Sequence, residues 1–230
     1  MAMLVQLLTH TPNPEQVVAA AARLCYADAS IEQLLGQSPA QSAKLLQKIL
    51  KLGHFSVLEH ASFTFGIEGV SRACSHQLVR HRIASFSQQS QRYVSHQQPF
   101  AAIIPDSIGE RPELSARFTK HMLATHDLYR DLLANGVPAE DARFVLPNAA
   151  STKLVMTMNA RELHHFFGLR CCRRSQWEIR AMAREMLRLA RQTTPLLFAA
   201  AGPDCLSGPC PEGAMTCGAI KDVRTEYAQL

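Results

Sequence analysis

Between Ala61 and Gly69 the chain alternates Phe63, Phe65 and Ile67 with smaller or polar residues, then runs directly into Ser71, a helix-capping residue. Successive side chains of a strand point to opposite faces, so this period of two describes a half-buried strand. A strand of that kind obliges the rest of the chain to cover its apolar face. Ser71 starts a helix that extends to roughly Val79, so strand and helix are joined with no linker.

The other elements follow from caps and breakers. Met3 to Leu8 reads as a short strand, and Pro14 opens an apolar-periodic stretch, Glu15 to Tyr26, whose alanines and leucine favour helix. Ser38 and Pro39 give an N-cap and a proline at the first helical position. Leu45, Leu46, Ile49 and Leu50 form one apolar face until Gly53 stops the helix and delivers His54 at its end. Pro112 to Asn135 carries Leu114, Phe118, Met122, Leu128, Leu132 and Leu133 at helical spacing, with Gly136 and Pro138 as a stop. Thr152 to Met158 predicts a strand, Ala160 to Leu169 a helix, and Gln176 to Arg191 a basic amphipathic helix that ends before Pro195. Without repeats or low-complexity linkers, the 230 residues are expected to form one domain, 1–230.

Met1 to Thr9 is apolar but has no preceding positive region and no small-residue cleavage site, and no segment approaches the ~18 uninterrupted apolar residues of a membrane span. A cytoplasmic location is expected. The net charge of +5 suits a phosphate-bearing ligand or nucleic acid equally. Seven cysteines, an odd number, argue against a full disulfide framework and towards metal ligands or free thiols.

The chemistry concentrates in Arg80-His81-Arg82-Ile83-Ala84-Ser85-Phe86-Ser87-Gln88-Gln89-Ser90-Gln91-Arg92-Tyr93, where apolar core material is almost absent. Guanidinium groups pair bidentately with phosphate oxygens while Gln and Ser read ring amides, so a nucleotide site is the natural proposal. A solvated loop is the plain alternative, with Arg80 and Arg82 set against the dipole of the preceding helix.

Arg-His-Arg, seven residues, then Ser90 resembles the signature of the flavin-dependent thymidylate synthases, and Arg92-Tyr93 extends it. Gly53-His54 and Glu59-His60 upstream, and Asn159-Ala160-Arg161, Leu169-Arg170 and Gln176-Trp177-Glu178 downstream, continue the likeness in the same order. The resemblance implies an α+β fold, a central twisted, mostly antiparallel sheet flanked by helices, working as a homotetramer with active sites shared between subunits. It implies methylation of dUMP to dTMP with FAD as cofactor, NADPH or NADH as reductant and 5,10-methylenetetrahydrofolate as carbon donor. Neither nucleic acid nor a membrane is then a partner.

The same resemblance assigns residues. Arg80, His81, Arg82 and Ile83 approach the FAD, joined by His54, Ser56 and Glu59, of which His54 and Ser56 come from another subunit. Asn159, Arg161 and His165 complete the cradle; positions 161 and 165 share one helix face. His165 stands where the family carries an amide-bearing residue, and reads either as a donor to a ring carbonyl or as a structural helix histidine. For dUMP the matching positions are Gln77, Gln88, Ser90, Arg92, Arg143 and Arg170. Gln88 replaces a family glutamate, keeping an acceptor but losing the charge. Arg170 stabilises negative charge on the uracil ring during hydride delivery. Ser90 has no evident base and is assigned to substrate orientation. No cysteine lies in the matched motif, and the nearest, Cys74, reads as helix core.

From Gly202 to Gly218 the chain is dense in Gly, Pro and Cys, which predicts a C-terminal tail, 202–230, without regular structure in that stretch and held by something other than its own core. Cys172, Cys205, Cys210 and Cys217 offer four thiolates for zinc or an iron-sulfur cluster, although Cys-x4-Cys-x6-Cys matches no common pattern. Two rivals stand beside the synthase: a nucleic-acid-binding module using the basic 80–92 segment, and a flavoenzyme that binds a nucleotide without transferring carbon.

Overall fold

The computed structural model describes residues 2–94 and 99–230. In chain order it contains β1 (Leu4–His10), α1 (Pro14–Leu24), α2 (Ile31–Leu35), α3 (Pro39–Leu52), β2 (Ser62–Ser71), α4 (Arg72–Leu78), β3 (Ala84–Gln88), α5 (Asp106–Gly109), α6 (Pro112–Ala134), α7 (Ala139–Ala142), β4 (Ser151–Asn159), α8 (Ala160–Arg170), α9 (Trp177–Thr193), α10 (Pro195–Phe198) and α11 (Ile220–Ala228).

Local chemistry sets the boundaries. The Ser38 hydroxyl accepts from the Gln41 backbone N–H while the Gln41 side chain returns to the Ser38 N–H, a reciprocal cap for α3. That helix stops at Gly53, whose φ of 73° lies in the left-handed region open to glycine. The Ser71 hydroxyl accepts from the Cys74 N–H at 3.0 Å and starts α4 inside the last residue of β2. Asn159 caps α8 and Gln176 caps α9 in the same manner.

The four strands form one antiparallel sheet in the order β1-β2-β4-β3, flanked by helices. On the two central strands the hydroxyls of Thr64 and Thr157 are bonded at 2.9 Å. The chain's contacts divide it into two compact units, the first made of residues 2–4, 67–80 and 86–155, the second of 5–66, 81–85 and 156–230, so each strand contributes residues to both. In the first unit Phe100, Met122 and Ala150 are buried, with Phe118, Leu146 and the alanines 102 and 149 against them. In the second, Phe63, Phe65, Phe166, Phe167 and Phe198 are fully buried. Phe63 and Phe167 meet Phe198 edge-on at 5.3 and 5.9 Å, a favoured aromatic geometry.

Two segments depart from the sequence expectation. Ala84–Gln88, for which the plain alternative was a solvated loop, is a short strand. The tail docks to the rest of the second unit by its own contacts. Its Gly202–Gly218 stretch holds only short 3-10 turns, Asp204–Leu206 and Gly213–Met215, and then α11 buries Val223 and Tyr227. Arg191 donates to the carbonyls of Phe198, Ala201 and Tyr227, and the Tyr227 hydroxyl donates to the Cys171 carbonyl at 3.0 Å. Charge-assisted bonds to backbone carbonyls thus add to the small apolar surface that the tail buries.

Candidate active site

In the second unit, the left-handed turn at Gly53 hands the chain to a 3-10 turn, Phe55–His60, anchored by fully buried Leu58. His54, Ser56 and Glu59 are left exposed. Glu59 Oε1 pairs with an Arg161 guanidinium nitrogen at 2.5 Å. Asn159 Oδ1 accepts from the Glu162 N–H at 2.8 Å, so its carbonyl end is spent on the cap and its amide NH2 is the donating end. Arg161 and His165 are exposed on α8. Arg80, Arg82 and Ile83 are exposed as well, Ile83 by 67%.

His81 is different: 4% exposed, it sits against Phe166 with ring centroids 4.9 Å apart. Arg170 Nε donates to His81 Nε2 at 2.9 Å, and His81 Nδ1 lies 3.2 Å from Glu162 Oε1. A guanidinium only donates, so His81 Nε2 must accept; the imidazole proton is therefore on Nδ1 and is donated to the Glu162 carboxylate. Burial, then the charges of Arg170 and His165, pushes the His81 imidazolium down to about 4, which keeps the ring neutral near pH 7. Burial raises the Glu162 carboxyl, against the opposing influence of His165. The result is a buried carboxylate–imidazole–guanidinium relay that fixes one edge of Arg170. The ligand atoms of His81, Glu162 and His165 lie within 4.8 Å of one another. Both His81 nitrogens are already engaged, and the Arg170 cation beside them disfavours a metal ion.

In the first unit Gln77 is half-buried in the last turn of α4. Gln88 donates through Nε2 to the Thr152 hydroxyl at 3.1 Å, which leaves Oε1 as its acceptor. The Ser90 hydroxyl accepts from the Arg92 N–H at 3.1 Å, an orienting contact. Arg92 pairs with Glu140 at 2.6 Å, lies over the Tyr93 ring at 5.4 Å, and is joined at Glu140 by Arg143, whose Nε donates to the Glu140 carbonyl at 3.0 Å. Arg72 belongs to the same group: its guanidinium is lowered from its ordinary value by burial and then by the charge of Arg143. Sequence reasoning missed Arg72 and Glu162. Neither falls inside the Arg-His-Arg…Ser motif, and only three-dimensional proximity identifies them.

No disulfide joins any of the seven cysteines. Cys74 is helix core, as its spacing implied. Burial pushes the Cys171 thiol up to about 12, a packing thiol. Among the described residues, the cysteines at 172, 205, 210 and 217 do not stand at the ligand spacing found for His81, Glu162 and His165. A pocket of about 490 Å3 in the second unit, lined by residues including His10, Glu15, Ser42 and Thr194, holds none of the candidate site residues.

In the first unit guanidinium groups gather around Glu140, and in the second a buried relay holds Arg170. Comparisons with known proteins show the family. The family described as thymidylate synthase complementing protein matches residues 6–196. A flavin-dependent thymidylate synthase of Geobacter sulfurreducens is 59% identical over 230 residues, covering 99% of each chain. Namesakes from Clostridium tetani and Pyrococcus furiosus are 45% and 44% identical, over 99% and 98% of this chain and 98% and 97% of their own. The chain belongs to the flavin-dependent thymidylate synthase family. Among the described residues, no helix is long and apolar enough to cross a membrane.

Proposed function

We propose that the chain converts dUMP to dTMP, taking its carbon from 5,10-methylenetetrahydrofolate and its reducing equivalents from NADPH or NADH through FAD. The observation that carries this reading is the Glu162–His81–Arg170 relay, because it holds a cation immobile beside a family-specific motif.

The residues present fit FAD. Arg80, Arg82 and Arg161 are exposed cations for its diphosphate, exposed Ile83 is an apolar surface for its ring system, and the Asn159 amide NH2 and His165 are donors for ring carbonyls. His54, Ser56 and Glu59 belong to the same cradle. Bound FAD supplies hydride transfer from the reduced nicotinamide to C6 of the uracil.

The chain's own residues do the rest. Arg92 and Arg143, with Arg72 behind them, exchange part of their Glu140 pairing for the dUMP phosphate. Gln77 and Gln88 hydrogen-bond the base and sugar, and Ser90 orients them. Arg170, unable to swing while His81 holds its Nε, presents its guanidinium to the negative charge that grows on the uracil ring. Such a donor stabilises the transition state more than the ground state. A neutral His81 is essential to this arrangement, since an imidazolium would have no lone pair for Arg170.

The functional form is a homotetramer with shared sites. Exposed His54, Ser56 and Ile83, and Phe144 exposed by 83% beside Arg143, are the surfaces that a second subunit would cover. In that assembly His54 and Ser56 serve a neighbour's FAD, and Arg143 reaches across the boundary.

The visible spectrum of the purified protein tests the reading, followed without oxygen as NADPH and then dUMP are added. A flavin spectrum whose reduction responds to dUMP, with dTMP appearing only when methylenetetrahydrofolate is supplied, is the expected result. A protein that cannot be reconstituted with FAD overturns it; flavin turnover without dTMP indicates a nucleotide-binding flavoenzyme of another kind.

A further inference from the structure

The 3-10 turn Phe55–His60 has His54 at its cap and carries Ser56 and Glu59, and its two ends are held to α8 in different ways. At the far end Leu58 is fully buried, the Ala160 N–H donates to the Ala61 carbonyl at 2.7 Å, and Glu59 pairs with Arg161. At the near end the His54 N–H donates back to the Ile49 carbonyl of α3 at 3.1 Å, and the Phe55 ring supplies the tie to α8. Among the described residues the exposed side chains of His54 and Ser56 make no hydrogen bond, so their placement follows the backbone on either side of Phe55.

Half-buried Phe55 stacks on the His164 imidazole with ring centroids 5.5 Å apart and planes 20° apart. His164 in turn stacks on Phe198 at 5.3 Å, again at 20°. Phe198 is fully buried and set edge-on to Phe63 and Phe167, so the stack runs from the core of the second unit to the turn. The imidazole at its centre is locked in orientation: Nε2 lies 2.8 Å from the Leu197 carbonyl, which only accepts, so the ring proton is on Nε2 and is donated there. Burial depresses the His164 imidazolium, against the influence of that carbonyl bond, and the ring is neutral near pH 7.

We infer that His164 is a positioning residue for the flavin cradle, holding His54 and Ser56 in place through its stack with Phe55 and Phe198. The inference rests on the reading given above, in which these residues contact FAD. His164 acts through Phe55 and not on the cofactor. The Glu59–Arg161 pair, with side chains 47% and 55% exposed, contributes little and cannot fix the turn alone, whereas stacked rings have a preferred geometry and few ways to move. A turn already ordered before the cofactor arrives spares FAD the cost of ordering it, so the stack acts on cofactor affinity. On α8 the stack also places His54 and Ser56 relative to Arg161 and His165, the cradle residues on either side of His164 in that helix.

The test is titration of the full-length protein, freed of flavin, with FAD, read by quenching of flavin fluorescence and by the spectrum of the bound flavin, beside thermal unfolding. The wild type decides the underlying reading: if it takes up no FAD, reading and inference fall together. The variants decide the inference alone. His164→Ala is expected to weaken FAD binding about tenfold and to alter the bound-flavin spectrum, as for groups that orient a direct contact. His164→Phe keeps a ring in the stack and should recover most of that affinity. Phe55→Leu, which leaves α8 untouched and carries the test if His164→Ala does not fold, should reproduce the loss. The double variant Phe55→Leu/His164→Ala should lose no more than either alone, because both break one stack. A His164→Ala protein that melts lower yet binds FAD with wild-type affinity and spectrum shows an imidazole that only packs, and overturns the inference. So do wild-type affinity in Phe55→Leu, additive losses in the double variant, or a His164→Phe protein that binds as weakly as His164→Ala.

Discussion

The guanidiniums of the first unit and Arg170 of the second are held in contrasting ways. Arg92 and its partner Glu140 have side chains 54% and 46% exposed, whereas His81 and Glu162, which hold Arg170, are 4% and 6% exposed. An exposed ion pair is worth about 1 kcal/mol or less, so Arg92 can trade Glu140 for a phosphate at small cost. A buried relay cannot be traded, because each member left alone would be a desolvated polar group without a partner. In the proposed reaction, the contrast separates cations that capture the substrate from a cation that is aimed at it.

The sharpest way to break this comparison is Arg170→Ala. Loss of an aimed donor is expected to lower kcat on the order of 10²–10³-fold with the KM for dUMP little changed. Steady-state kinetics decide, and a change confined to KM would make Arg170 one more capturing cation. Next in size is Glu162→Gln, which keeps the shape and removes the charge that holds the Nδ1 proton of His81. A fall in kcat of about tenfold is expected, as for partners that orient a group making direct contact. The acid limb of its pH–rate profile should also shift, and an unchanged profile would reduce Glu162 to packing.

Arg92→Ala and Arg143→Ala sharpen the other side. Each should raise the KM for dUMP about tenfold, equivalent to about 1.4 kcal/mol, and leave kcat near wild type. The effect should shrink as ionic strength rises. Acid titration of stability addresses the relay without kinetics. His81 titrates lower in the folded chain than in the unfolded one, so below about 6.5 the unfolded state takes up a proton that the folded state refuses. Stability is therefore fully present above that pH and is lost as pH falls towards about 4; His81→Gln should flatten this slope in urea titrations. The smallest change is Ser38→Ala, which removes the α3 cap and is expected to cost about 1 kcal/mol in urea unfolding with no change in kcat.

What the sequence made legible is what neighbouring residues decide. Ser38 and Gly53 bound α3, Ser71 starts α4, and Asn159 and Gln176 sit at the caps of α8 and α9, because a capping side chain reaches only the next turn. The Arg80–Arg82 segment stood out by its unusual local composition, and the resemblance to the family made it a candidate site. Glu162 was not: its partner His81 is 81 residues away, and in a helix pattern a glutamate reads as solvated. Arg72 escaped for the same reason, lying outside the motif that drew attention to Arg92 and Arg143. The strand β3 is five residues with little apolar content, so no period could announce it. Docking of α11 rests on two buried side chains and on arginine bonds to distant carbonyls, which leave no local pattern.

The most direct measurement is an anaerobic single turnover of the wild type beside Arg170→Ala. Each protein, its flavin reduced beforehand with NADPH, is mixed with dUMP and methylenetetrahydrofolate, and dTMP is quantified as the flavin reoxidises. The predicted result is dTMP from the wild type and, from a variant that still binds dUMP, formation at least about 10²-fold slower. A wild type that forms no dTMP, or a variant that forms it at the wild-type rate, would contradict the account.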